Sequence, residues 1–311
     1  MGKTAFLFAG QGAQYIGMGK ELYEKYPVCR QTFEEANDSL AMDLTGLIFN
    51  GSKEDLNRTE NTQPSIVTVS IAAYRALSEY AVKPDMAAGL SLGEYSALTA
   101  SGVFTLSQVV PLVRKRGRFM QEAVPEGIGR MVAVLGLSEE KIREACKEAG
   151  SFGIAEAANF NCPGQIVIGG ECQAVDEAAR LCKEKGAMKV LPLALSAPFH
   201  TSMLQPAAEK LKEELEPIQL GAMNTAVISN VNAEFISSIQ EIKALLYRQV
   251  MSSVLWEHSI RRMIEAGATN FVEIGPGKTL SGFVKKIDRS LGICNVEDIA
   301  SLEATVKALT I

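Results

Sequence analysis

One short segment restricts the possible folds of this chain more than any other. The apolar run MAAGL at residues 86–90 is followed at once by SLGEYSALTA, which is typical of a helix. The pattern Gly-x-Ser-x-Gly, with Ser91 at its centre, spans the junction between Gly89 and Gly93. A serine in a sharp turn between a strand and a helix is typical of an α/β architecture, in which strands alternate with covering helices.

The rest of the chain repeats this alternation. Apolar runs predict strands in TAFLFAG (4–10), MAAGL, TAVISN (225–230) and TNFVEIG (269–275). Helical patterns lie at about 17–25, 29–38, 63–81, 91–100, 107–123, 202–215, 238–250, 254–266 and 278–288. Strands separated by helices favour a parallel sheet, so we predict an α/β fold with a parallel sheet.

The middle of the chain has a different order of elements. GRMVAVLG, FGIAEAA, GQIVIGG and AMKVLPLA (187–194) are predicted strands, and the turn-rich NFNCPG (159–164) joins the central two. One predicted helix, capped by Ser138, follows the first strand, and another precedes the last. The order β-α-β-β-α-β is that of the ferredoxin-like split unit. We therefore predict a ferredoxin-like small subdomain at 127–195, inserted into a large subdomain formed by 1–126 and 196–311.

Composition excludes several classes of function. The net charge is −5 and there is no long basic run, which argues against nucleic-acid binding. No apolar stretch reaches the roughly 18–20 residues that a membrane span needs, and the N-terminus lacks a signal-peptide pattern. The six cysteines form no Cys-x-x-Cys pair, and only two histidines are present, which disfavours a metal site. We expect a cytoplasmic protein that binds no metal, membrane or nucleic acid.

Ser91 has two interpretations. As a nucleophile it would stand at the start of a helix, where the backbone N–H of Leu92 points at a developing oxyanion. As a structural residue it would only form a turn that caps the helix. The residues around it leave both interpretations open.

A serine nucleophile needs a base, and the chain offers two imidazoles. His200 lies in a loop before a predicted helix, where catalytic groups often gather. His258 lies within an amphipathic helix beside Glu257 and is interpreted as a surface or packing residue. No Asp or Glu flanks His200, so the sequence shows no acid to orient its ring.

Two further segments contain candidate site residues. FAGQGAQYIGMG follows the first strand but matches neither a dinucleotide fingerprint nor a P-loop, and its exposed N–H groups suit a second oxyanion donor at Gln11. The basic run at 114–118 places Arg114 and Arg118 on one helix face and Arg116 on another. A basic run is usually a solvated helix face, but an arginine turned inward would bind a carboxylate through two hydrogen bonds.

Several motifs in order resemble one enzyme family over essentially the full length. They are GQGAQ, GLSLGEYSAL, RGRFMQEAVPEG, NCPGQIVI, SAPFHTSM, RQVMSSVLWEHSI and EIGPGKTLSGFVKK. Together they resemble the malonyl-CoA:acyl carrier protein transacylases of bacterial fatty-acid synthesis. The resemblance implies an α/β-hydrolase-like large subdomain interrupted by a ferredoxin-like one.

The resemblance also implies a ping-pong acyl transfer without a cofactor, in which the coenzyme A thioester is a substrate. Ser91 attacks the malonyl thioester, His200 takes its proton, and coenzyme A leaves. The phosphopantetheine thiol of the acyl carrier protein then collects the malonyl group. The backbone N–H groups of Gln11 and Leu92 hold the oxyanion.

Other residues receive roles from the resemblance alone. Arg116 pairs with the malonyl carboxylate, and the main-chain carbonyl of Gln249 orients His200. Phe199 fits a preference for malonyl over branched groups, and Asn161 is implied to bind substrate. The family usually has histidine where this chain has Leu90, so a polar contact near the acyl pocket is lost.

Two alternatives remain. A serine hydrolase or thioesterase shares the Ser91 turn but needs an acid between the serine and the histidine in the chain. Most acids in that interval, such as Asp176, fall in the inserted subdomain, which argues against a triad. The second alternative is a non-catalytic component of a larger synthase. Such a component would not need Ser91, His200 and Arg116, so their presence argues against this alternative. The carrier protein is expected to be acidic, and the candidate docking cations are Lys183, Lys185 and Lys189, or Arg114 and Lys115.

Overall fold

The computed structural model describes residues 2–193 and 197–310, which form two β-sheets surrounded by helices. The strands are β1 (Lys3–Phe8), β2 (Met86–Gly89), β3 (Gly129–Leu135), β4 (Ala155–Cys162), β5 (Gln165–Glu171), β6 (Lys189–Pro192), β7 (Ala226–Val227), β8 (Ala268–Ile274) and β9 (Gly292–Val296). The helices are α1 (Lys20–Lys25), α2 (Pro27–Leu40), α3 (Leu44–Asn50), α4 (Lys53–Asn57), α5 (Thr59–Ser78), α6 (Leu92–Ala100), α7 (Leu106–Glu122), α8 (Glu139–Glu148), α9 (Cys172–Glu184), α10 (Gln205–Leu215), α11 (Ile242–Val250), α12 (Trp256–Glu265), α13 (Thr279–Ile287) and α14 (Ile299–Thr310). Short 3-10 turns lie at Ala149–Phe152, Ser202–Leu204 and Ile239–Glu241.

The first sheet is parallel and has the order β7-β2-β1-β8-β9. Its central strand β1 is buried from Ala5 to Phe8, because helices cover both faces. The carboxyl ends of β1 and β2 lie side by side, since Phe8 pairs with Gly89. Loops that leave adjacent parallel strands at this edge form the usual position of a site in α/β folds.

The second sheet is antiparallel and has the order β4-β5-β3-β6. Along the chain, α8 follows β3 and α9 follows β5. This is the arrangement of the ferredoxin-like unit, so the predicted fold class is confirmed. Ser138 caps α8 as predicted, accepting a hydrogen bond from the backbone of Lys141. The predicted boundary between 195 and 196 and the last residue of the predicted strand AMKVLPLA lie outside the described residues.

Several elements differ from the sequence prediction. Helix α1 begins only at Lys20, because Gly17 and Gly19 have positive φ angles that a helix does not allow. NFNC was predicted as part of a turn, but it continues β4, which pairs with β5 through two register shifts. The segment TAVISN contributes only the two residues of β7. The short helices α3 and α4 and the last pair, β9 and α14, were not predicted.

The segment between α11 and α12 connects the antiparallel sheet to the rest of the molecule through hydrogen bonds to β4. Val254, shortly after α11, donates to the Ala158 carbonyl at 2.8 Å, and its own carbonyl accepts from Phe160 at 2.9 Å. Trp256 at the start of α12 is fully buried in a cluster that includes Cys162 of β4 and Leu7 of β1. These contacts hold the antiparallel sheet beside the carboxyl edge of the parallel one. None of the helices in the described ranges has both the length and the apolar character needed to cross a membrane.

Candidate active site

Ser91 occupies the sharp turn between β2 and α6. Its backbone has φ 53° and ψ −103°, a conformation that is rare for a residue with a side chain. The flanking glycines make the turn possible. A Cβ on Gly89 would lie 1.9 Å from the carbonyl carbon of Gly93, and one on Gly93 would lie 2.1 Å from the Phe8 carbonyl oxygen. The Gly-x-Ser-x-Gly pattern is therefore required by close packing of the turn against itself and against β1.

His200 is placed to act on Ser91. Its Nε2 lies 2.7 Å from Ser91 Oγ, and its Nδ1 lies 2.9 Å from the main-chain oxygen of Gln249. Because a carbonyl oxygen only accepts, Nδ1 carries the proton and Nε2 is left to accept from the serine hydroxyl. Within the described ranges, no Asp or Glu forms a hydrogen bond or ion pair with His200.

The surroundings keep His200 neutral. Burial lowers the pKa of His200 to about 4, and the positive charge of Arg116 adds to this effect. At neutral pH the imidazole is therefore an unprotonated base.

Arg116 is the one inward-facing cation of its helical run. Its side chain is 1% exposed, whereas Arg114 is half-buried and Arg118 is exposed. Nη1 donates to Gln63 Oε1 at 2.9 Å, and Nη2 donates to Gln249 Oε1 at 3.0 Å and to Ser91 Oγ at 3.2 Å.

The charge of Arg116 is held without a direct ion pair. Its guanidinium lies 5.2 Å from the ring centre of Tyr95, and no carboxylate of the described residues lies within ion-pair distance of it. Burial lowers the pKa of Arg116, although the group stays protonated at any ordinary pH. The site thus contains a buried cation beside the serine hydroxyl, and neutral amide oxygens hold this cation in place.

A network of buried hydrogen bonds holds the turn between β2 and α6 in place. Asn230 Oδ1 accepts from the Ser91 backbone N–H at 2.6 Å, and Asn230 Nδ2 donates to the Gly89 carbonyl at 2.8 Å. Gln249 Nε2 donates to the Ser91 carbonyl at 2.9 Å and to Glu94 Oε2 at 2.7 Å. These bonds offset the backbone strain at Ser91.

Three residues that hold the turn or Arg116 were not among the predicted site residues: Gln63, Glu94 and Asn230. Glu94 had a signal, because it is an acid in the otherwise uncharged first turn of an apolar helix. Asn230 closes the predicted strand TAVISN, a position where functional polar groups often occur. Gln63 has no comparable signal in the sequence.

A cavity of about 100 Å³ opens onto Ser91. It is lined by Gln11, Leu90, Ser91, Arg116, Met120, Met131, Asn159, Phe199 and His200. Met131 and Asn159 come from the antiparallel sheet, so both sheets contribute to the wall. Leu92 is the first residue of α6, and its N–H therefore has no acceptor within the helix. Of the two predicted oxyanion donors, Gln11 lines the cavity, whereas Leu92 is fully buried and is not among the lining residues.

A comparison with known protein families identifies the family of this chain. The family model described as the acyl transferase domain matches residues 5–305. The chain belongs to the acyl transferase family.

Individual relatives in this acyl transferase family are similar over nearly the whole chain. The malonyl CoA-acyl carrier protein transacylase of Bacillus subtilis is 46% identical over 99% of this chain and 98% of its own. The crystal structure of the enzyme of that name from Clostridium perfringens has a TM-score of 0.97 and 49% identity, and covers 99% of this chain and 97% of that one. A malonyl-transacylase solved in complex with its type II PKS acyl-carrier protein has a TM-score of 0.96 and 42% identity, covering 98% and 99%. The resemblance inferred from the motifs is confirmed, and the chain is an acyltransferase.

The remaining predicted residues of this acyltransferase differ in whether they reach the cavity. Asn161 is buried in β4 and does not line the cavity, whereas Asn159 of the same strand does. His258 is exposed and lies 3.9 Å from Glu139, as expected of a surface residue. Leu90 gives the cavity an apolar wall where a polar side chain was implied. Among the described residues, no group of three or more His, Cys, Asp and Glu side chains is arranged to hold a metal ion.

The predicted docking cations differ in their contacts. Lys185 forms ion pairs with Glu144 and Glu148, and Lys115 forms one with Glu214. Lys183 and Lys189 are exposed.

Proposed function

We propose that this acyltransferase moves a malonyl group from malonyl-CoA to the phosphopantetheine thiol of an acyl carrier protein, through a malonyl ester on Ser91. The observation that carries the proposal is the position of Arg116. A fully buried guanidinium, 3.2 Å from the serine hydroxyl and without a carboxylate partner among the described residues, suits an acyl group that carries its own carboxylate.

The acylation step uses Ser91 and His200. The Ser91 hydroxyl gives its proton to His200 Nε2 as Oγ attacks the thioester carbonyl carbon. The backbone N–H groups of Leu92 and Gln11 stabilise the oxyanion of the tetrahedral intermediate. When the C–S bond breaks, His200 returns the proton to the sulfur, and coenzyme A leaves as a thiol.

The second half-reaction reverses these roles. The carrier thiol gives its proton to His200 and attacks the carbonyl carbon of the Ser91 ester. The ester C–O bond breaks, and Ser91 Oγ recovers the proton from His200. The Gln249 carbonyl stabilises the protonated imidazole in both half-reactions through its bond to Nδ1.

The acyl group is selected by charge and by size. A buried guanidinium left without an anion is costly, so acyl groups that lack the carboxylate are disfavoured. Phe199 takes up room in a cavity of about 100 Å³, which disfavours a branch next to the thioester carbonyl. We retain Asn161 as a proposed substrate contact, although it does not line the cavity in this structure.

The alternative of a serine hydrolase is less well supported. Such enzymes orient the histidine with an acid, and here the Gln249 carbonyl occupies that position. An acidic carrier protein as partner is supported by the related malonyl-transacylase that was solved with its carrier. Docking at Lys183, Lys185 and Lys189, or at Arg114 and Lys115, is part of the proposal, as are the two subdomains at 127–195 and at 1–126 with 196–311. The cytoplasmic location and the absence of a cofactor stay predictions.

Mass spectrometry tests the proposal directly. After mixing with malonyl-CoA, the protein is expected to gain one malonyl group on Ser91, and holo carrier protein is expected to remove it. Carrier protein without phosphopantetheine is the control and is expected to leave the adduct in place. Labelling of a Ser91→Ala variant at the normal rate, or release of free malonate faster than carrier-bound product, would contradict the proposal.

A further inference from the structure

Glu94 is a buried carboxylate that the proposed reaction steps do not use. It lies in the first turn of α6 and is 0% exposed. Burial raises the pKa of Glu94 to about 7, although hydrogen bonds from Gln249, Asn230 and Ser229 and the charge of Arg116 oppose this rise. Burying a carboxyl group is costly unless hydrogen bonds replace those it makes to water.

Glu94 and the Ser91 carbonyl, which both accept from Gln249 Nε2, together determine how the Gln249 amide is oriented. Glu94 Oε2 accepts from the backbone N–H of Asn230 at 3.1 Å, so this oxygen is an acceptor. The Gln249 side chain must therefore turn its NH₂ group toward Glu94, and the N–O distance is 2.7 Å. The amide oxygen of Gln249 then faces the opposite way.

That amide oxygen is one of two that hold Arg116. Gln249 Oε1 accepts from Nη2, and Gln63 Oε1 accepts from Nη1. A rotated Gln249 amide would bring its NH₂ group against Nη2, which would place two donors together. Arg116 would then lose one of the two side-chain amide acceptors that hold it.

We propose that Glu94 is a positioning residue, whose acceptor oxygen, together with the Ser91 carbonyl, fixes the Gln249 amide so that Arg116 is directed at the acyl carboxylate before substrate binds. The inference rests on the proposed function, because it assumes that Arg116 binds that carboxylate. Glu94 acts through Gln249 and touches no substrate.

A pair of variants separates this role from a general structural one. Glu94→Met keeps the length of the side chain but removes the acceptor, and Glu94→Gln keeps an acceptor oxygen but removes the charge. The measured quantity is the ratio of kcat/KM for malonyl-CoA to that for acetyl-CoA, which has no terminal carboxylate. We expect the ratio to fall about tenfold in Glu94→Met, the effect of losing one hydrogen bond to a charged group. We expect Glu94→Gln to restore most of it.

Glu273→Met is a matched control. Glu273 is also buried, at 1% exposure, and its oxygens accept from the backbone N–H groups of Leu280 and Ser281. It forms no hydrogen bond to Gln249 or Arg116 in the described structure. The same substitution there is expected to lower stability and to leave the malonyl-to-acetyl ratio unchanged.

The outcomes are distinguishable. A ratio that stays the same or rises in Glu94→Met, or an equal loss with both substrates, would overturn the inference. If Glu94→Met does not fold, Gln249→Met tests the same link, since it removes the amide but keeps the backbone carbonyl that holds His200. An unchanged ratio in that variant would also overturn it. If the parent protein itself does not prefer malonyl-CoA, the proposed function fails, and not the inference alone.

Discussion

At the scale of single residues, two side chains of the site sit on strained backbone. Ser91 and His200 have φ angles of 53° and 62°, in a region that side chains rarely adopt. Such conformations cost on the order of 1–3 kcal/mol each and persist only where surrounding contacts hold them. Asn230, Gln249 and Glu94 supply those contacts at Ser91, so the geometry of the proposed nucleophile depends on residues that have no proposed chemical step of their own.

Arg116→Ala tests the proposal that the charge of Arg116 selects the acyl group. Removing one partner of a buried, hydrogen-bonded charge pair costs about 2–5 kcal/mol, so we expect kcat/KM for malonyl-CoA to fall about thirtyfold or more. The value for acetyl-CoA is expected to change much less, so that the preference shifts toward acetyl. Arg118→Ala is the control, because that side chain is exposed and lies near Glu122. An unchanged malonyl-to-acetyl ratio in Arg116→Ala would refute the carboxylate role.

The pKa of His200 predicts the pH dependence of acylation. His200 accepts the serine proton only when neutral, and its pKa is lowered to about 4 by burial and by Arg116. We therefore expect the acylation rate to be flat from about pH 5.5 to neutral and to fall as the pH approaches 4.

The measurement is rapid-quench acylation by acetyl-CoA across this pH range. Arg116→Ala removes a positive charge near His200, so the acid limb is expected to move to higher pH. An acid limb centred near the ordinary histidine value of about 6.5 in the parent protein would show that His200 is solvated, contrary to the structure.

At the scale of elements, the turn between β2 and α6 depends on how closely α6 approaches β1. Gly93 lies in the first turn of α6, where a Cβ would meet the carbonyl oxygen of Phe8. A side chain at this position would push the start of α6, and with it Ser91, away from the sheet edge. The position of α6 therefore depends on its close contact with β1. Gly93 leaves room for this contact, but the contact itself forms only when α6 packs against the sheet.

Two glycine substitutions distinguish this contact from helix propensity. Gly93→Ala is expected to lower the free energy of unfolding by about 1–3 kcal/mol, as overpacking does. Gly282→Ala, inside α13 with open space around its Cβ position, is expected to raise it by about 0.5–1 kcal/mol. Urea unfolding measures both changes. Equal effects of the two substitutions would mean that the turn is not closely packed.

At the scale of the whole molecule, the cavity exists only where the two sheets meet. Asn159 and Met131 reach it from the antiparallel sheet, while Ser91 reaches it from the parallel one. The hydrogen bonds between Val254 and β4 hold this junction, and Gln249 precedes them by a few residues. Any separation of the sheets would open the cavity and expose Arg116 to water.

We expect the two sheets to unfold together. Trp256 is the only tryptophan, and it is buried at the junction, so its fluorescence reports on that contact. Far-UV circular dichroism reports on the helices of both parts. Coincident urea midpoints by the two probes are expected for a single cooperative unit. A fluorescence midpoint clearly below that of circular dichroism would show that the junction opens first.

Much of the fold could be predicted, and the reasons are local. The strands β1, β2, β3 and β5 appear as short apolar runs, and the long helices α5 and α7 as periodic ones. The strand β4 was shortened in the prediction because its asparagines suggested a turn, and only pairing with β5 and Val254 makes them part of a strand. The pair β9 and α14 completes the sheet edge, where weaker burial leaves a weaker pattern.

The sequence by itself determined the alternation of strands and helices, the turn at Ser91 and the residue types of the site, because spacing and local sterics act between neighbours in the chain. Only the tertiary structure decided what holds Arg116 and His200. Gln63 lies 53 residues from Arg116, and Gln249 lies 158 residues from Ser91. Hydrogen bonds between such distant residues follow no periodic pattern, so the partners of Gln63, Glu94 and Asn230 became identifiable only when the packed core brought them together.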